Sequence, residues 1–89
     1  MYYNVREAEE ENLIMLDFWE HQVGDFVFFK KQREMESWGV ITDLLVYQLN
    51  FGETAMVAYT IQSKWFAFNS EIVLNQTLCE RNINELLVI

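Results

Sequence analysis

This sequence predicts a small, mainly β domain. The expected form is an antiparallel barrel or bent sheet, with an acidic helical segment before it and a short C-terminal extension after it. Three observations predict it. From Val23 onward, short apolar runs of strand composition alternate with turns built on Gly, Asn and Ser. The chain is 52% apolar and 16% aromatic over 89 residues, so one core can form without disulfides or metal. It has no Pro and only three Gly, and it shows no linker, repeat or low-complexity tract. One domain over residues 1–89 follows, read as an acidic segment (1–21), a barrel (22–75) and an extension (76–89).

The elements follow in order. Val5 to Asn12, VREAEEEN, has helix-forming composition, with Asn4 as cap and Glu7 as its box partner. Leu13 to Trp19, LIMLDFW, either continues that helix or forms a buried strand, and periodicity does not separate the two in so short a run. The composition leans toward a helical segment whose apolar end packs on the rest. VGDFVFFK is a strand opened by a Gly-Asp turn, and SWGVITDLLVYQL is a second strand with a bend at Gly39. On that strand Trp38, Val40, Leu44 and Val46 share one face, and Ile41, Leu45 and Tyr47 share the other. After the turn NFGE comes TAMVAYTIQ, with Ala55, Val57, Tyr59 and Ile61 on one face and Met56, Ala58 and Thr60 on the other. KWFAF is a fourth strand, NSEIV a single helical turn, and the tail holds a short helix and a closing strand, LLVI.

The order VGDxVxxK, charged loop, WGVITDLL, turn, VAYT, turn, WFAF, SEIV resembles SH3-like small barrels of the KOW, Tudor and integrase-C-terminal kind. The resemblance covers residues 22–75. It implies a barrel opened by the Gly-Asp strand, with a short helical turn before the closing strand. It also implies a ligand surface on an aromatic-lined groove, and leaves function open, since small barrels carry many functions.

Charge narrows the function. Fourteen acids against six bases give −8. Phosphate neutralisation supplies most nucleic-acid affinity, so an acidic chain is a poor candidate for binding nucleic acid or anionic lipid. The acids are uneven: residues 1–22 hold six acids and one base, a net of −5, and residues 23–89 hold eight and five, a net of −3. One cysteine, Cys79, cannot form an internal disulfide, which fits a reducing, cytoplasmic setting. No apolar run is long enough to span a bilayer, and no signal sequence opens the chain.

Catalytic and metal chemistry find little material. One His, His21, and one Cys cannot make a zinc site within the chain. The acids lack the spacing of a calcium loop, and no phosphate-binding or nucleophile-elbow motif occurs. The expectation is a non-enzymatic chain with no cofactor. Trp38, Tyr47, Tyr59, Trp65 and Phe66 are the candidate partner-binding residues, with Asp43 and Glu53 as nearby acids that would strengthen attraction of a cation to an aromatic face. The bland reading of aromatics on strands is core. Glu7, Glu9, Glu10, Glu11, Asp17 and Glu20 form an acidic flank, whose bland reading is a solvated helix face.

Three functions are therefore weighed. The first is a protein–protein interaction module that uses aromatic surface and acidic flanks against another protein with a basic or mixed surface. The second is a small acidic inhibitor of the type phages and mobile elements use, occluding the basic groove of a host nucleic-acid enzyme. The third, ranked below both on charge, is a nucleic-acid-binding barrel working through Lys30, Lys31 and Arg33. Both faces of the second strand are largely apolar, so leftover surface also makes a homodimer plausible.

Overall fold

The computed structural model describes residues 1–31, 35–50 and 52–87. The elements are β1 (Tyr2–Asn4), α1 (Val5–Glu10), β2 (Ile14–Met15), β3 (Phe26–Lys31), β4 (Met35–Gln48), β5 (Thr54–Ile61), β6 (Trp65–Phe68), a 3-10 turn (Asn69–Glu71), β7 (Ile72–Asn75) and α2 (Gln76–Leu87). Among the described residues the strands join in one curled half-barrel sheet, ordered β2-β5-β4-β3-β7, with β1 added to β4 and β6 to β5. The fold is mainly β with two helices.

β4 sets the shape. At about 3.3 Å per residue, its 14 residues are longer than any neighbour, so its two halves pair with different strands. Met35 to Val40 pair with β3, and Ile41 to Gln48 pair with β5. Between the halves the register shifts at Thr42, a β-bulge that sharpens the twist. The Thr42 hydroxyl donates to the Thr60 carbonyl at 3.1 Å and accepts the Ser63 N–H at 3.0 Å, so the bulge is held by its own side chain. At Gly39 the curl brings Ile61 so near that a Cβ would lie 2.4 Å from Ile61 Cγ2. Only a residue without a side chain fits there.

The bulge corrects the two faces read from simple alternation. Trp38 and Val40 point outward. Leu44 and Val46, two and four steps past the extra residue, point inward with Ile41. In β5 the alternation holds: Ala55, Val57, Tyr59 and Ile61 all face the core. Ala58 and Thr60, on the other face, are buried as well, because they lie opposite Phe68 and Phe66 of β6.

The inner face carries two linked clusters. Val27, Phe29, Ile41, Tyr59, Ile61 and Ala67 form the larger; Ala8, Val46 and Ala55 form the smaller, beneath α1. Trp19 touches both, and its Nε1–H sits 3.2 Å from the carbonyls of Leu45 and Ala58. Asn4 caps α1 by accepting the Glu7 N–H at 2.8 Å, while its amide reaches Glu7 Oε1 at 2.7 Å. The helix stops at Glu10, and Asn12 turns the chain in the left-handed region at φ 54°. Ile14–Met15 then runs parallel to β5, so the N-terminal segment supplies two strands of the sheet.

The C-terminal reading needs two corrections. The helical turn of NSEIV spans Asn69–Glu71, and Ile72 onward is strand because it pairs with β3. The closing strand read in LLVI does not form at Leu86 and Leu87, which continue α2. Val88 and Ile89 lie outside the described residues. No helix among the described residues is long and apolar enough to cross a membrane.

Candidate interaction faces

The outer face of the sheet is lined with aromatic residues, of which Phe26, Trp38 and Phe66 are exposed and Tyr2, Phe28, Tyr47 and Phe68 half-buried. In the β3–β4 half, Trp38 stacks on Phe26 with ring centroids 5.0 Å apart and tilts against Phe28 at 5.3 Å. Leu74 of β7 lies opposite Phe28. Phe26, Trp38 and Leu74 remain 40%, 41% and 43% exposed. In the other half, Tyr2 stacks on Phe66 at 4.4 Å and meets Tyr47 at 4.8 Å, while Phe68 packs edge-on to Tyr47 at 5.4 Å. Burial among these rings raises the Tyr2 hydroxyl above its usual range, and the nearby Tyr47 and Glu71 add to the effect.

The sequence candidates divide between the two faces. Trp38, Tyr47 and Phe66 lie outside, and Asp43 is exposed on the same face just past the bulge. Tyr59 is a correction: it is wholly buried, because its β5 position faces the core. Its hydroxyl accepts the N–H groups of Glu20 at 2.9 Å and His21 at 3.1 Å and donates to Asn69 Oδ1. Trp65 also faces inward against the core, with Lys64 Nζ 4.9 Å over its ring. Glu53 is exposed in the turn before β5. Phe26, Phe28, Leu74, Tyr2 and Phe68 also lie on the outer face, and sequence reasoning does not single them out. Phe26 and Phe28 alternate with the buried Val27 and Phe29, so the signal lies in the alternation of FVFF.

The acids divide too. Glu7, Glu9, Glu10 and Glu11 are exposed around α1, on the inner side of the sheet, and Glu20 is exposed in the loop before β3. Glu10 pairs with Arg6 at 3.5 Å. Asp17 is structural. It accepts the Val57 N–H at 2.7 Å, closing the gap between β2 and β6 along the edge of β5. Lys30 pairs with Glu36 at 3.2 Å, whereas the rest of the charged loop, Gln32 to Glu34 with Arg33, lies outside the described residues.

A buried polar network anchors α2. Asn75 Oδ1 accepts the Leu78 N–H at 2.9 Å, capping the helix. Its Nδ2 donates to Asp25 Oδ2 at 2.7 Å and faces His21 Nδ1 at 2.8 Å. The cap fixes the amide orientation, so His21 Nδ1 is the acceptor and the proton sits on Nε2. Burial lowers the His21 pKa, with Glu20 and Asp25 pulling the other way. Arg81 closes the set, donating to Asp25 Oδ1 at 2.9 Å.

The described residues line at least two concavities. One, about 140 Å³, lies between α1 and the sheet and is lined by Ala8, Leu13, Met15, Trp19 and Val46 with Val5 and Glu9 at its edge. A second, about 390 Å³, is an open groove bounded by Lys30, Phe68, Ser70, Glu71 and Val73. No group of three or more His, Cys, Asp or Glu among the described residues is placed to hold a metal ion. The chain matches no protein-family model, no curated protein and no solved structure.

Proposed function

We propose that this chain is a non-enzymatic protein–protein interaction module built on an SH3-like barrel. The barrel reading is supported by strand order: β3, β4, β5, β6, a 3-10 turn and β7 follow one another, and β7 returns to pair with β3. The functional reading rests on one observation, the exposed aromatic outer face centred on Trp38 and Phe66. Monomeric domains rarely leave a contiguous face of large apolar side chains bare, and such faces mark contact sites. Tyr and Trp rings supply rigid contact area at low entropy cost.

The test is capture with tagged chain from lysate of its native cell, with and without nuclease, read by mass spectrometry. The expected result is a protein that persists after nuclease and is lost with Trp38→Ala. Capture that vanishes with nuclease would move the reading to the nucleic-acid barrel. The inhibitor reading keeps one specific support, the exposed glutamates of α1 opposite the aromatic face. It requires that Glu9→Gln with Glu10→Gln, rather than Trp38→Ala, releases the captured partner.

A further inference from the structure

We propose that the outer aromatic face meets a second copy of this chain, sheet against sheet, around the patch of Phe26, Phe28, Trp38 and Leu74. This rests on the reading of that face as an interaction surface and names its partner.

Charge points to the second copy. The chain carries −8, so two copies repel unless the meeting faces are nearly neutral. Among the described residues, the outer strand positions carry only three charged side chains: Lys30 and Glu36, which pair at 3.2 Å, and Asp43; Glu71 of the 3-10 turn lies beside Tyr2 and Phe68, in the half of the face away from Trp38. The three glutamates of α1, with Glu11 just past it, lie on the other side of the sheet, where Ala8 packs against Val46 and Ala55. A surface shaped for a basic partner would set those acids around the aromatics, where they steer and hold a cation. Here they are held away from the aromatics. That arrangement suits association of like-charged chains, with both acidic sides left facing solvent.

Layering points the same way. Domains pack two layers around a core, and sheets stack about 10 Å apart. The inner face has its second layer in α1 and the loop through Trp19, whereas Phe26, Trp38 and Leu74 of the outer face stay exposed, and the molecule is only 19 Å across its shortest axis. The available area sets the strength. An aromatic side chain offers roughly 150–250 Å², and about two fifths of Phe26, Trp38 and Leu74 remains open. The patch therefore supplies a few hundred Å² per copy, below the ~800 Å² per partner of a standard interface. A weak dimer follows, looser than the roughly micromolar limit of standard-size interfaces.

Sedimentation equilibrium of the intact chain tests this, from about 1 to 500 µM and at low and high sodium chloride. The expected result is a monomer–dimer equilibrium that tightens with salt, since screening weakens repulsion between the two acidic chains. Trp38→Glu should weaken it about 30-fold or more. Leu74→Glu, at an edge-strand position, serves as the second variant should Trp38→Glu lose the fold by circular dichroism. A wild-type chain that stays monomeric throughout, or dimers that survive both variants, would overturn the proposal. The lysate capture with Trp38→Ala separates the two levels. If the chain is monomeric but captures a protein that Trp38→Ala releases, the second copy is wrong and the interaction face stands; if the chain is monomeric and captures nothing through Trp38, both fail.

Discussion

Tyr59 shows how one position decides between surface and core. Its ring is buried and its hydroxyl holds two backbone N–H groups of the loop before β3. Tyr59→Phe leaves those donors and Asn69 without their partner. It should cost about 1–3 kcal/mol, measured by urea unfolding, with partner capture unchanged. The signal is present in TAMVAYTIQ, where Tyr59 shares a face with Ala55, Val57 and Ile61. An aromatic residue is equally at home in a core and a groove, so residue type alone does not separate them. His21 carries the second prediction. Its folded pKa is lowered chiefly by burial, so the unfolded chain binds more protons between the folded value and the ordinary value of about 6.5. Its contribution to stability is full above about 6.5 and is lost as pH falls through the folded pKa. Urea midpoints taken down a pH series should fall over that window, and His21→Gln should flatten the fall.

At the scale of elements, the turns and most strands from Val23 to Phe68 are legible in the sequence because their apolar alternation is local. The face of β4 is not, because a bulge at Thr42 adds one residue and reverses the parity of all that follows. Nothing in ITDL marks a bulge; the partner register creates it. Ile72–Asn75 likewise hides its strand character, because its pairing with β3 is non-local. The sequence places a bend at Gly39, but the register there is unbroken and shifts at Thr42 instead; Gly39 is needed because Ile61 closes on that position. Gly39→Ala should destabilise by about 1–3 kcal/mol, and the double variant with Ile61→Ala should lose less than the sum of the singles. Asn75 joins helix, strand and loop. Asn75→Ala should speed amide exchange in the first turn of α2 while β4 and β5 stay protected.

The whole molecule has two unlike sides, an acidic one around α1 and a nearly neutral aromatic one across the outer sheet. Composition announces the ingredients: too much apolar surface for a small core, and acids gathered near the N-terminus. It does not announce their separation, because which side of the sheet α1 covers is set by Ala8 meeting Val46 and Ala55. Both the interaction reading and the second-copy proposal stand on Trp38 being surface rather than core. The most direct measurement is the unfolding free energy of Trp38→Ala against the parent chain in urea. Loss of a half-exposed stacked ring should cost about 1 kcal/mol and leave the transition cooperative. A loss of about 3–5 kcal/mol, the cost of emptying a core site, would make Trp38 part of the core and contradict the aromatic face as a place of contact.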